Sequence, residues 1–152
     1  MFTLPGASPS KIEKVHLLVN PFAGKKRGRA VAAQVVELVE QAGIEISVSY
    51  SAYSGHLVTM ASALVVGDHD IIAVVGGDGS LSEAITGRML LNGKRTETFA
   101  IVPAGTGNSQ AHDLRLSTPE EAVEAMLNGR RQALDLARVE LTEGLPGSTG
   151  ED

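Results

Sequence analysis

The 152-residue sequence contains no cysteine and no tryptophan, and aromatic side chains make up only 3% of it. Without cysteine there is no disulfide and no thiolate-bound metal, which fits a reducing compartment. No apolar run approaches the roughly 20 residues of a membrane-spanning helix, and the first residues lack the apolar centre of a signal peptide. The net charge of −5 lacks the basic excess typical of nucleic-acid binding. We therefore expect a cytoplasmic protein without a nucleic-acid partner.

The composition is that of one ordinary globular domain. Hydrophobic residues make up 43% of the chain and charged residues 20%, values typical of a folded rather than a disordered protein. We expect a flexible leader over residues 1–14, a single domain over 15–141, and a disordered tail over 142–152, where glycine and proline are frequent.

Apolar runs and amphipathic stretches alternate along the domain. Short runs rich in β-branched residues predict strands at 15–19, 71–75 and 99–102, a half-exposed edge strand at 44–50, and a final strand at 134–141. Helical stretches separate these strands along the chain: Gly43 is placed to end the first helix, and Thr118-Pro119-Glu120-Glu121 predicts the start of the last. This order predicts an α/β fold, a three-layer α/β/α domain with a mainly parallel sheet. In such sheets ligands bind outside the carboxyl ends of the strands.

The most informative stretch follows the predicted strand 71–75 and reads Gly76-Gly77-Asp78-Gly79-Ser80. Its glycines allow a sharp turn and a close approach to the backbone, and a helix N-terminus after them favours an anion such as phosphate. Asp78 would repel a phosphate unless a cation lay between them, and Mg²⁺ accepts oxygen ligands on both sides. The stretch therefore predicts a site for a metal-bound phosphate, although the P-loop and dinucleotide-binding fingerprints are absent.

Other polar or glycine-rich stretches follow other predicted strands and should reach the same edge. Glu83 has two interpretations that the sequence leaves open, a capping box with Ser80 or a ligand role. His56 lies at the start of the second predicted helix, close to this edge. Contact with a nucleotide is one interpretation of this residue. The strand-end stretches are Asn20-Pro21-Phe22-Ala23-Gly24, Ser51, and Gly105-Thr106-Gly107-Asn108.

These stretches together resemble the signature blocks of the diacylglycerol kinase catalytic domain, the family of diacylglycerol, sphingosine and ceramide kinases and their bacterial lipid-kinase relatives. The resemblance runs over about residues 15–139, in the family's order and spacing. The Gly-Gly-Asp-Gly block is shared with NAD kinases and phosphofructokinases, whereas the Asn-Pro and Gly-Thr-Gly-Asn blocks select the lipid kinases. Ser80 stands in place of the family's more usual threonine, and Ser109 in place of an aspartate common in bacterial relatives.

The resemblance implies a phosphofructokinase/NAD-kinase-like fold and an ATP- and Mg²⁺-dependent transfer of the γ-phosphoryl group to a diacylglycerol or sphingoid hydroxyl. It implies a catalytic and metal-binding role for Asp78. The residues implied to bind the nucleotide are Asn20, Pro21, Phe22, Ala23, Gly24, Ser51, Gly76, Gly77, Gly79, Ser80, Glu83, Gly105, Thr106, Gly107 and Asn108.

Family members continue into a second, β-rich domain that helps to bind the lipid. We therefore expect this chain to be the nucleotide-binding half of a lipid kinase, inactive without that domain, with transient membrane-surface contact and homo-oligomerisation left open. Two alternatives are a soluble-metabolite kinase of the NAD kinase or phosphofructokinase type, and a non-catalytic nucleotide-binding module.

Overall fold

A four-stranded, all-parallel sheet forms the centre of the protein. The computed structural model describes residues 11–93, 95–104 and 114–139. The strands lie in the spatial order β2-β1-β3-β4, and the predicted α/β class with a parallel sheet is confirmed. Their bounds are Lys14–Val19 for β1, Glu45–Tyr50 for β2, Asp70–Gly76 for β3 and Thr98–Pro103 for β4.

Helices cover both faces of the sheet. Alternate residues of a strand point to opposite faces, so Val15 and Leu17 pack with α2 and α5, while Leu18 packs with α3 and α4. In the part of the chain that the structure describes, no helix has the length and apolarity needed to cross a membrane. The helices are the short turn α1 (Ala23–Lys26), α2 (Gly28–Gln41), α3 (His56–Ser62), α4 (Asp78–Met89) and α5 (Pro119–Asn128).

The central strands are buried on both faces, which explains their unbroken apolar sequences. Residues 15–19 and 71–76 are all buried, whereas β2 alternates between exposed and half-buried residues and lies at one edge of the sheet. Ile46 and Val48 pack against the core on the α2 side. The prediction of a half-exposed edge strand is therefore confirmed.

The helix-terminating signals in the sequence act as predicted. Gly43 follows α2 with a left-handed φ of +75°, a conformation that glycine adopts without steric cost. The Thr118 hydroxyl accepts a hydrogen bond from the Glu121 N–H (3.2 Å), and Pro119 occupies the first helical position of α5. Local sequence therefore determines where these helices begin and end.

The predicted final strand is not formed over its described part. Residues 134–139 have no regular secondary structure, and the side chains of Leu134, Leu136 and Val139 are exposed. The pattern of alternating apolar residues is compatible with a strand, but a strand also needs a neighbour that completes its backbone hydrogen bonds, and no described strand pairs with these residues.

At the start of the described chain, Ile12 packs against the core and β1 begins at Lys14.

The layer formed by α3 and α4 is tightly packed. At Gly87 a Cβ would overlap the carbonyl oxygen of Val58 on α3, so only glycine allows this approach. Arg88 is buried and donates from Nη1 to the carbonyl oxygens of Ala61 (2.9 Å) and Leu64 (2.7 Å). These bonds hold α4 against the last turn of α3 and the residues that follow it.

Glu97 pairs with Arg88, its Oε1 lying 3.0 Å from Nη2 of the arginine. Burial by itself raises the pKa of Glu97, but hydrogen bonds from its own backbone and from Arg88, with the charges of Arg88 and Arg95, outweigh burial and lower it. The charged pair is therefore satisfied within the protein, as a buried ion pair must be.

A second buried polar pair joins β1 to β3. His16 Nε2 donates to Asp70 Oδ2 (2.9 Å), which also accepts from the Gly67 N–H (3.0 Å). Burial by itself raises the pKa of Asp70. The hydrogen bonds from His16 and Gly67, with the charges of His16 and Lys14, outweigh burial, so the pKa of this carboxyl lies below its usual value of 3.8.

The lowered pKa of Asp70 predicts a pH-dependent contribution to stability. A carboxyl with a lowered folded pKa stabilises the fold above its unfolded pKa, and the contribution is lost as pH falls through the folded value. The loss of unfolding free energy in Asp70→Asn should therefore be larger just above the usual carboxyl pKa of 3.8 than below it, and should shrink as pH falls further. Urea denaturation at pH values on both sides of 3.8 measures it, with Asp68→Asn as the exposed control. A loss independent of pH would contradict the prediction.

Candidate functional site

The carboxyl ends of all four strands meet at one edge of the sheet, and backbone hydrogen bonds continue across the first loop residues. The Ser51 N–H donates to the Val19 carbonyl (2.9 Å) and the Asn20 N–H to the Val75 carbonyl (3.0 Å). The Ala104 N–H donates to the Gly76 carbonyl (3.2 Å). The loops after β1, β2 and β3 therefore begin side by side, as the sequence predicted. The predicted residues Gly105, Thr106, Gly107 and Asn108 lie outside the described residues.

Asn20 connects the loop after β1 to the start of α4. Its Oδ1 accepts from the Phe22 N–H (3.0 Å), which closes a tight turn, and its Nδ2 donates to Ser80 Oγ (3.2 Å). An asparagine can do both because its amide has an acceptor and a donor at once. Ser80 is 6% exposed, so this contact between the two loops is shielded from water.

The loop after β1 also reaches the end of β4. At Gly24 a Cβ would overlap the Ala104 carbonyl oxygen, and φ is +57°, so glycine is required here on both grounds. Lys25 and Lys26 also have left-handed φ values of 60° and 67°. Such a backbone costs about 1–2 kcal/mol for each non-glycine residue, and strain of this kind is concentrated at functional sites. The predicted Pro21 and Ala23 are buried, while Phe22 is exposed.

The glycine-rich stretch after β3 differs from the predicted turn. Gly77 is the N-cap with extended backbone, and α4 begins at Asp78, so Asp78, Gly79 and Ser80 form its first turn rather than a loop before it. Gly76 is required by packing because a Cβ there would press on the Ser80 side chain. At Gly79 a Cβ would meet none of the described residues within 4 Å. Packing among the described residues therefore does not explain this glycine.

Glu83 does not form the capping box that was one of its two interpretations. Since α4 begins at Asp78, Glu83 lies in its second turn, and its Oε1 accepts from the Gly55 N–H (3.1 Å) in the loop after β2. The sequence carries no signal for this contact, because the two residues are 28 positions apart. Glu83 fixes the β2 loop against α4, and its ligand interpretation remains a prediction.

The loop after β2 contains a ring pair that the sequence did not reveal. The rings of Tyr53 and His56 are stacked with centroids 4.4 Å apart and an interplanar angle of 8°. The Ala52 N–H donates to His56 Nδ1 (2.9 Å). The predicted position of His56 at the start of the second helix is confirmed, since α3 begins there.

The donor set at this edge fits one kind of metal binding. Among the described residues there is no group of three or more histidine, aspartate or glutamate side chains able to hold a metal by themselves. Mg²⁺, however, is bound in phosphate-transfer sites by one or two carboxylates together with substrate phosphates. Asp78, half-buried at the start of α4, would supply such a carboxylate.

The domain has three layers and an all-parallel sheet, with glycine-containing loops at the carboxyl ends of the strands. These features define the class of protein, which is the phosphofructokinase/NAD-kinase-like α/β fold. Within that class, the diacylglycerol kinase catalytic domain matches residues 14–139 of this chain. The chain belongs to that family, and the resemblance found in its sequence blocks is confirmed.

Individual relatives agree with this assignment. The chain is 31% identical to sphingosine kinase B of Dictyostelium discoideum over 143 residues, covering 91% of this chain and 18% of that protein. It is 27% identical to a diacylglycerol kinase of Bacillus subtilis (strain 168), covering 84% of this chain and 42% of that one. The crystal structure of a diacylglycerol kinase from Bacillus anthracis str. Sterne superposes with a TM-score of 0.65 at 27% identity, covering 79% of this chain and 43% of that one. The chain spans less than half the length of each of these relatives.

The hydrogen bond between Asn20 and Ser80 predicts energetic coupling between the two loops. In a double-mutant cycle, Asn20→Ala and Ser80→Ala should show a coupling energy of about 0.5–1.5 kcal/mol, the net value of one protein hydrogen bond. Urea denaturation of the four proteins measures it. Asn20→Ala combined with Ser62→Ala, which lies on α3 and bonds only locally to the Thr59 carbonyl, should be additive. Additivity in both cycles would show that the bridge does not couple the loops.

Proposed function

We propose that this chain is the nucleotide-binding part of an ATP- and Mg²⁺-dependent lipid kinase. The observation that carries the proposal is the bridge from Asn20 to Ser80, which holds the loop after β1 against the first turn of α4. Two strand ends and one helix N-terminus are thereby held beside Gly79, where a Cβ would meet no described residue within 4 Å. Loop backbone held in this way suits a ligand that is recognised mainly by backbone N–H groups.

The first turn of α4 would hold the phosphates of the nucleotide. Backbone N–H groups at a helix N-terminus point along the axis toward the ligand, and the dipole of this 12-residue helix adds positive potential there. Because Gly79 has no side chain, a phosphate oxygen can approach the backbone closely. The positive potential at the N-terminus of α4 favours a charged phosphate chain over a neutral metabolite as the ligand.

Asp78 would hold Mg²⁺, directly or through water. When bound, this ion would neutralise charge on the β- and γ-phosphates during phosphoryl transfer. The protein's own contribution is then positional: the Asn20 turn and the α4 N-terminus orient the triphosphate, and the Asp78 carboxylate sets where the cation lies. Phosphoryl transfer needs little covalent chemistry from the protein, so these positioning groups would account for most of its catalytic role.

The acceptor in this proposal is a lipid hydroxyl of the diacylglycerol or sphingoid class. It is supported by the names of the relatives, which are diacylglycerol and sphingosine kinases. The hydroxyl oxygen would bond to the γ-phosphorus and give up its proton to a general base, as the bond to the bridging oxygen breaks and ADP leaves. A second, β-rich domain like that of the family would bind the lipid, and transient contact with a membrane surface would bring the acceptor to the cleft.

The role of Asp78 predicts a change in metal dependence. Asp78→Asn keeps the size of the side chain but removes its charge, so the affinity for ATP should lose most of its dependence on Mg²⁺. Titration calorimetry with and without Mg²⁺ measures this. Asp68→Asn, in the exposed loop before β3 at the opposite edge of the sheet, should respond to Mg²⁺ like wild type. An unchanged metal response in Asp78→Asn would rule out the proposed role.

The division of work between two domains predicts nucleotide binding without turnover. The 152-residue chain should bind ATP but transfer no measurable radiolabelled phosphate to diacylglycerol, sphingosine or ceramide in detergent micelles. In the proposal, the part of the relatives that this chain does not span excludes water and fixes the attacking hydroxyl. The Bacillus subtilis diacylglycerol kinase serves as the full-length control.

Two outcomes would contradict this account. Turnover by the 152-residue chain comparable with the control would show that this chain is sufficient for catalysis. Failure to bind ATP at all would contradict the proposed function itself. Transfer to NAD or a sugar phosphate by a longer form of the protein would instead favour a soluble-metabolite kinase.

A further inference from the structure

Aromatic side chains are scarce in this protein, and those that the structure describes are unevenly placed. Of the four described aromatic residues, Phe99 packs in the core, whereas Phe22, Tyr50 and Tyr53 lie at the carboxyl edge of the sheet. Their exposed fractions are 61%, 40% and 61%. Large apolar rings are usually buried, so their concentration on the ligand-binding edge calls for a reason beyond folding.

The stack in the loop after β2 leaves much of Tyr53 uncovered. His56 stacks on this ring, yet 61% of the Tyr53 surface remains exposed. Tyr50 differs, because the guanidinium of Arg29 lies 4.4 Å from its ring centre. Tyr53 therefore presents a flat aromatic surface to solvent beside the candidate phosphate site, and Tyr50 offers a matched residue that already has a cationic partner.

The ring pair is held in place by the surrounding backbone. The Ala52 N–H donates to His56 Nδ1, and the Gly55 N–H donates to Glu83 Oε1 on α4. Because Nδ1 accepts a hydrogen bond, the neutral imidazole carries its proton on Nε2. One hydrogen bond fixes the loop to the first residue of α3, and the other fixes it to α4. The position of the stack is therefore set before any ligand binds.

The loop that carries the stack begins two strands away from the candidate phosphate site. Strands β2 and β3 flank β1, so their carboxyl ends are two strand spacings apart, about 10 Å. The loop with Tyr53 follows β2, and the first turn of α4 follows β3 by one residue. A triphosphate held at Asp78 therefore has its nucleoside end within reach of the β2 loop.

We propose that Tyr53, backed by His56, is the stacking platform for the nucleobase of the bound nucleoside triphosphate. The inference rests on the proposed function, since it assigns the base-binding part of that same site. Stacking on an aromatic face recognises any planar base, with no hydrogen bond to its edge required. The platform would orient the nucleotide so that its triphosphate extends across the end of β1 toward Asp78.

The first experiment separates base binding from phosphate binding. Titration calorimetry of the 152-residue chain in Mg²⁺ compares ATP with inorganic tripolyphosphate, which has no base. Tyr53→Leu should weaken ATP binding about 10- to 100-fold, the effect of losing one base–aromatic stack, and should leave tripolyphosphate binding unchanged. Tyr50→Leu, the matched control at the same edge, should leave both affinities unchanged, and Tyr53→Phe should keep ATP binding close to wild type.

The second experiment uses the absence of tryptophan and the presence of only two tyrosines. In Tyr50→Phe the sole tyrosine is Tyr53, so ATP should quench the intrinsic fluorescence beyond the inner-filter loss measured with free tyrosine. In Tyr53→Phe the sole tyrosine is Tyr50, and ATP should produce no such quenching. Tripolyphosphate should quench neither protein. This readout needs no catalytic activity and remains informative if Tyr53→Leu fails to fold.

The outcomes separate this inference from the function on which it rests. If wild type binds ATP and tripolyphosphate, but Tyr53→Leu binds ATP equally well or Tyr50→Phe shows no quenching, the platform is wrong and the phosphate site stands. If Tyr53→Leu weakens both ligands to the same extent, Tyr53 supports the loop and not the base. If wild type binds neither ligand, the proposed function and the platform both fail.

Discussion

The parallel register of β1 with β3, in which Val19 lies opposite Val75, brings the first residues after the two strands side by side. The Asn20 N–H can then reach the Val75 carbonyl, and the Asn20 amide can reach Ser80 in the first turn of α4. A shift of one residue would exchange the side chains on the two faces, moving Leu17 and Val19 away from α2 and separating His16 from Asp70. Core packing therefore enforces the register, and the register positions the loops of the candidate site.

The two ends of the sheet have different requirements. At the amino end, the largely buried pairs His16–Asp70 and Arg88–Glu97 are hydrogen-bonded, so their polar groups are satisfied inside the protein. At the carboxyl end, no described residue packs over Gly79, Lys25 and Lys26 have strained backbone, and exposed rings accumulate. Packing alone does not explain these features, which coincide with the candidate site.

Much of the fold was predictable because its signals are local. The apolar runs of β1 and β3, the cap at Thr118 and the glycine after α2 each act on neighbouring residues, and each prediction was confirmed. The final strand was wrong over residues 134–139, since strand formation depends on a partner that apolar alternation cannot supply. The capping box at Glu83 was wrong because α4 begins three residues earlier than that motif requires, with Gly77 rather than Ser80 as its N-cap.

The sequence by itself determined the α/β class, the glycine-rich stretches at the strand ends and the family to which the chain belongs, because these follow from periodicity and from residue types at fixed spacing. Only the tertiary structure decided which glycine is needed for packing among the described residues and which is not, as at Gly76 and Gly79. It alone joined Glu83 to Gly55 and placed Tyr53 on His56 at the ligand edge. Contacts between separate elements depend on how the sheet brings distant residues together, and no local pattern encodes that proximity.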